Sequence, residues 1–216
     1  MKSIFKNLLL LVSAIAITGC ATSRGILEIE TEVDENPVTG QAVTFVRVSD
    51  NREFFIDPPQ ANMPSLKGGE VGNSAITERA IARKRNGFGQ ALGDILLPEG
   101  ETVAGLVEDR LTDGFRDNGY RVVTEGDSDF ADAIPMEVDI DKFWGWFQPG
   151  FWEIKLQFES LIRIQGPLDP FVDGKSYENA SELGAQVASE KNWLKALQAN
   201  LDDIILNISS DLTSGQ

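Results

Sequence analysis

Between Val103 and Phe115 the apolar residues fall at Val103, Leu106, Val107, Leu111 and Phe115. That spacing keeps one face of a 3.6-residue turn apolar and predicts a helix over 101–118, stopped by Asn118-Gly119. A second stripe, Trp193, Leu197, Leu201, Ile204, Ile208 and Leu212, predicts a closing helix from Glu190 to Leu212 with Ser189 as its N-cap. Between the helices the period changes to two. From Met136 to Trp146 the even positions are apolar apart from Lys142, while Glu137, Asp139 and Asp141 are acidic. Trp152, Ile154, Leu156 and Phe158 then alternate with Glu153, Lys155, Gln157 and Glu159. This is the pattern of a half-buried antiparallel hairpin, with Pro149-Gly150 suited to a type II bend. A turn centred on Pro149 sets Ile140 opposite Phe158 and Asp139 opposite Glu159, a mildly repulsive pair that calls for a bulge or a nearby base, with Lys155 as the candidate base.

Shorter runs predict strands at 26–33, 42–48 and 120–124, with a further strand inside 175–186. The run AVTFVRV at 42–48 is apolar enough on both sides to read as a central strand. Residues 55–77 contain Pro58, Pro59, Pro64, Gly68, Gly69 and Gly72 and fit no period. A loop of that length is either functional or disordered. The order β-β-α-β-β-β-α predicts an α+β domain over 26–216: a mainly antiparallel sheet with two helices packed on one face.

Upstream of this domain the pattern is different. Lys2 and Lys6 precede an apolar run from Leu8 to Ile17, too short to cross a bilayer as a helix, and then comes Ile17-Thr18-Gly19-Cys20. This segment resembles the lipobox of bacterial lipoproteins. The resemblance implies a signal peptide at 1–19, diacylglycerol on the Cys20 sulfur, cleavage before Cys20 and a third acyl chain on the new amino group. Several acyl chains give essentially permanent anchoring. Residue 21 is Ala rather than Asp, which by resemblance to enterobacterial sorting points to the periplasmic leaflet of the outer membrane. Residues 20–25 form a tether reaching about 17 Å at most, so the domain is expected close to the membrane.

Composition narrows the chemistry. The 216 residues carry 34 acids against 19 bases, a formal charge of −15, which cleavage of Lys2 and Lys6 makes more negative still. Such a chain lacks the basic footprint that nucleic acid requires. With no histidine and a single cysteine, His-based triads, His/Cys metal sites and internal disulfides are excluded. No GxSxG, phosphate-loop or supported SxxK motif occurs. No catalytic residue, cofactor or metal is assigned, and the chain is expected not to be an enzyme.

Two segments remain as candidate contact surfaces. Arg79, Arg83, Lys84 and Arg85 concentrate four of the nineteen bases within seven positions, suited either to lipid or lipopolysaccharide phosphates or to internal ion pairs. Phe143, Phe147 and Phe151 fall on the parity opposite Trp144, Trp146 and Trp152. They read as an aromatic turn for a membrane interface or a partner protein, with the tryptophans as core cover. The acidic stripe Glu137, Asp139, Asp141 and Glu159 reads as a solvated face, and Asp50-Asn51-Arg52 as a structural turn.

The strand ending Val48-Ser49-Asp50-Asn51-Arg52, the helix ending Asn118-Gly119-Tyr120, the paired strands and the closing helix together resemble the YajG-like lipoproteins of Gram-negative bacteria. That resemblance implies a fold and a location rather than an activity. The resulting expectation is a periplasmic lipoprotein serving as a non-enzymatic binding or scaffold module of an envelope assembly, with an envelope protein as partner. The alternatives are an accessory handling lipid or lipopolysaccharide through the four bases, and a carboxylate-based cell-wall hydrolase.

Overall fold

The computed structural model describes residues 24–29, 39–85, 90–150 and 152–214. Cys20 and Phe151 lie outside the described residues, as does most of the strand expected at 26–33. In chain order the elements are β1 (Gly25–Ile26), β2 (Ala42–Asp50), α1 (Ser74–Thr77), β3 (Ala80–Arg85), β4 (Ala91–Leu96), α2 (Val103–Asp117), β5 (Arg121–Val122), β6 (Ile134–Pro149), β7 (Ile154–Gln165), β8 (Lys175–Ala185) and α3 (Glu190–Ser214).

The architecture is α+β, an eight-stranded sheet with β6 as its spine. Along one edge Glu137–Pro149 of β6 pair antiparallel with the whole of β7, and β7 pairs antiparallel with β8. The other edge is shared end to end. Val43–Asp50 of β2 run parallel to Ile134–Ile140, and Ala82 and Arg83 of β3 run parallel to Gly145 and Trp146. β3 and β4 form an antiparallel hairpin, and β1 closes that wing parallel to β4.

The two long helices follow the sequence pattern. Thr102 caps α2 by accepting from the Gly105 N–H at 3.0 Å, and Gly119 takes φ 86° just beyond its end. Every stripe residue predicted for α2 and α3 is buried, and these residues share one core with Met136, Val138, Ile140, Leu156 and Phe158 of the sheet.

The hairpin differs from expectation in register. Ile140 faces Ile162 rather than Phe158, and Glu159 faces Trp144 rather than Asp139. The cause is an irregularity between Ile140 and Lys142, where Asp141 is the extra residue. One inserted residue moves every later side chain to the opposite face. Met136, Val138 and Ile140 therefore share the helix-side core with Phe143. Trp144, expected under the helices, packs on the other face with Leu66, Ala80, Leu96, Phe54 and Trp146.

That second face explains the loop at 55–77. It supplies Leu66 and Ile76 to a small satellite core, and the Trp144 Nε1–H donates to the Ala61 carbonyl at 3.3 Å. The segment is a cover over the sheet face that the helices leave open.

β2 departs from the central-strand expectation. Val43 and Thr44 are buried, but Val46 is 52% exposed. A bulge between Phe45 and Arg47 leaves Phe45 and Val48 against the core although they stand three apart. The acidic stripe is neutralised there: Arg47 donates to Glu137 at 2.7 Å and to Asp139 at 2.6 Å. Glu159 is paired with Lys142, not Lys155, and Lys155 pairs with Glu182.

Candidate functional site

The basic segment forms β3, and its side chains are turned inward. The Arg79 Nε and Nη2 both donate to the Leu97 carbonyl, at 2.9 and 2.7 Å. Arg83 is 3% exposed and Lys84 8%. Arg83 Nη1 and Arg85 Nη2 donate to one hydroxyl, Ser65 Oγ, at 2.6 and 2.9 Å. Burial, and secondarily the charge of Arg83, lower the affinity of Arg85 for its proton. These bases tie the 55–77 cover to the sheet, assisted by Asp94, which is fully buried and accepts from the Lys67 N–H at 2.9 Å. A headgroup grip needs exposed guanidinium groups, and burial removes Arg83 and Lys84 from that role.

Arg52 is consumed in the same way. Its guanidinium makes a two-point contact with Asp50 at 2.7 and 2.7 Å. It also donates to the carbonyls of Ala80, Phe143 and Thr77 at 2.5, 3.1 and 3.0 Å. It fills the fork where β2 leaves β6 and β3 begins, so Asp50-Asn51-Arg52 is structural.

The aromatic turn is redistributed. Phe143 is fully buried, edge-on to Phe158 at 4.9 Å, and Phe147 is half-buried against the helix-side core. Of the tryptophans expected to be core cover, Trp152 is instead 83% exposed. The exposed aromatic of this turn, among the described residues, is thus a residue of the opposite parity from the one expected.

Strand register places this turn relative to the tether. Gly25 lies beside Ile95, Ile95 beside Ala82, and Ala82 beside Gly145. β1, β3 and the second half of β6 therefore share one row, and the chain preceding Gly25 leaves toward the end of the sheet that carries the β6–β7 turn. Arg24 fixes that exit. Its Nε donates to Asp94 at 3.2 Å and its Nη2 pairs with Glu70. The same end carries Val187, 61% exposed, just past the end of β8.

Comparison with known proteins adds an outline. No family model matches the chain, and no curated protein sequence matches it significantly. Among solved structures, an uncharacterised protein aligns with TM-score 0.45 and 11% identity over 89% of this chain and 99% of its own. A DUF330-family protein from Xanthomonas campestris aligns with TM-score 0.45 and 12% identity over 89% and 96%. A minor lipoprotein from Acinetobacter baumannii gives TM-score 0.36 and 15% identity over 50% and 83%. At such scores the likeness carries no argument about activity, partner or location.

A second surface went unnoticed in the sequence. A groove of about 640 Å³ runs between β2 and α2, floored by Phe45, Val46, Val122 and Phe130. Glu108, Asp109 and Glu125 line it against one base, Arg116. Burial raises the carboxyls of Glu108 and Asp109 above their ordinary values, the charge of Asp109 adding to the effect on Glu108. The residues come from three separate segments, so no local motif announces them. Among the described residues no cluster of metal-ligating side chains occurs, and no helix is long and apolar enough to cross a membrane.

Proposed function

We propose that the protein is a lipid-anchored lipoprotein of the Gram-negative envelope, held at the periplasmic face of the outer membrane. It acts there as a non-enzymatic binding or scaffold module. The observation that carries this reading is the short distance from anchor to fold: Cys20, in its lipobox-like setting, stands four residues before Arg24, and Arg24 is ion-paired to Asp94 and Glu70. Kinship with the YajG-like lipoproteins belongs to the same reading and rests on the order of elements. The lipid- or lipopolysaccharide-handling alternative loses support with the inward turn of Arg83 and Lys84.

The partner surface in this proposal is the groove along β2. Its apolar floor and acidic rim suit an apolar segment carrying basic residues from an envelope protein.

Labelled palmitate tests the anchor. The wild type is expected to take up label and to sediment with outer membranes, and Cys20→Ser to do neither. Processing and membrane sedimentation of Cys20→Ser would contradict it. A photo-crosslinker at Val46 tests the groove. It should trap a species that disappears when Glu108, Asp109 and Glu125 are changed to Lys and that a crosslinker at exposed Leu206 on α3 does not trap. The same adducts from both positions would remove the groove.

A further inference from the structure

The β6–β7 turn and the lipid tether emerge from the same end of the sheet, and their reaches match. Gly25 stands five positions after Cys20, and Gly150, at the tip of the hairpin, stands five positions after Gly145 in the same row. Whatever path the tether takes, Cys20 lies no more than about 17 Å from Gly25. β6 continues as a strand to Pro149, so its tip stands a similar distance, roughly 17 Å at strand rise, beyond Gly145. A tether that runs on in the direction in which β1 leaves the sheet sets Cys20 at most level with the hairpin tip.

We infer that the β6–β7 turn is a second membrane contact, with Trp152 seated in the interfacial layer of the lipid that holds the anchor. The partner surface is the bilayer itself. Three observations support it. Trp152, 83% exposed, is the most exposed of the large apolar side chains among the described residues. Tryptophan is the side chain most suited to the headgroup boundary, with a large apolar ring and one polar N–H. Val187, beyond the end of β8 that lies beside the turn, is exposed at the same end.

In the order β1-β4-β3-β6, three strand spacings separate the tether from the turn, about 14 Å. Two contacts so separated fix the tilt of the sheet, standing its strands upright and carrying the β2 groove toward the far end. The contact is interfacial rather than electrostatic: Glu153 adjoins Trp152, and Lys155 is already paired with Glu182.

The inference rests on Cys20 bearing the lipid, and one experiment separates the two. Full-length acylated protein is reconstituted in phosphatidylcholine vesicles whose chains are brominated either near the headgroup or near the bilayer centre. Co-sedimentation reports the anchor and tryptophan quenching reports the turn. Shallow bromines are expected to remove up to one tryptophan's share of the emission of four, deep bromines less, and Trp152→Phe to abolish the loss while sedimentation persists. Sedimentation without quenching, or equal quenching in Trp152→Phe, would overturn the turn contact and leave the anchor standing. Failure to sediment would overturn both. Quenching that appears only with phosphatidylglycerol and vanishes in salt would assign the contact to charge and also overturn the inference.

Discussion

Two buried arginines show how differently one residue type serves this fold. Arg52 holds one carboxylate and three backbone carbonyls together at the strand fork. Removing it takes away their shared donor, and breaking a buried pair in this way costs about 3–5 kcal/mol. Arg83 shares the Ser65 hydroxyl with Arg85, stands 3.9 Å from Asp57 and keeps its Nε without a hydrogen-bond partner. Its loss leaves Ser65 satisfied and removes a like charge beside Arg85, and replacing a buried ion with an apolar side chain is often neutral. Arg52→Met is therefore expected to lower urea-unfolding stability by about 3–5 kcal/mol, and Arg83→Met to change it by less than about 1 kcal/mol. Equal losses would show that both bases are structural pins of the same kind. Sequence separated them in part, since Asp50-Asn51-Arg52 reads as a structural turn and the cluster stays open between a ligand and internal ion pairs. The acceptors that set each base's energetic role come only from the fork and the cover.

At the scale of elements, the bulge at Asp141 decides which face each aromatic serves, and Gly145 is its consequence. A Cβ on Gly145 would stand 2.8 Å from the Phe158 ring, 3.0 Å from Trp193 and 3.1 Å from Ala82, so β6, β7, β3 and α3 meet there with no room for a methyl group. Gly145→Ala is expected to cost about 1–3 kcal/mol by overpacking, read as a lower denaturation midpoint. An unchanged midpoint would mean that the layers are looser than their contacts indicate. The α2 and α3 stripes were legible because each helix buries one continuous face against the sheet. The same holds for the alternation of β7. The repulsive Asp139–Glu159 pairing pointed to a bulge or a base, but the place of the bulge was not legible, since Asp141 continues the acidic alternation and nothing local marks it as the extra residue. β3 was hidden because its AIARKR sequence places three bases in a strand whose charges are covered by a distant loop. Asn86-Gly87, lying between β3 and β4 in sequence, is the hairpin signal that points to this pair.

Across the whole molecule, the acid excess sets how stability responds to pH. Burial raises the carboxyls of Glu108, Asp109 and Asp113 on α2. The folded state therefore binds protons more readily there than the unfolded chain, and stability grows as pH falls through their raised values toward the ordinary 4.5 and 3.8. Asp139 moves the other way, held below its ordinary 3.8 by hydrogen bonds from Arg47 against the opposing effect of burial, with Asn51 assisting. Its contribution is present above that value and is lost as pH falls through its lowered one. Mild acidification also relieves the repulsion of a chain at −15. The denaturant midpoint is expected to rise from pH 7 into the mildly acidic range and to fall below about 4. Glu108→Gln with Asp109→Asn should flatten the rise, and a midpoint that falls steadily from pH 7 would show that these carboxyls are not desolvated in the fold.

The location of the candidate site is a property of the molecule rather than of any motif. The exit of the chain at Arg24 and the turn that carries Trp152 face one end of the sheet only through the registers of β1, β4, β3 and β6. The lipobox resemblance pointed to a membrane, but the row that sets hairpin and tether side by side depends on β3 and β4, the strands the sequence concealed. Mass spectrometry of the amino-terminal peptide, from protein extracted with detergent out of envelopes, tests the anchor on which this account depends. A chain that starts at Cys20 and carries the mass of a diacylglycerol thioether and an amide-linked acyl chain is expected. A chain that starts elsewhere, or an unmodified Cys20, would contradict it.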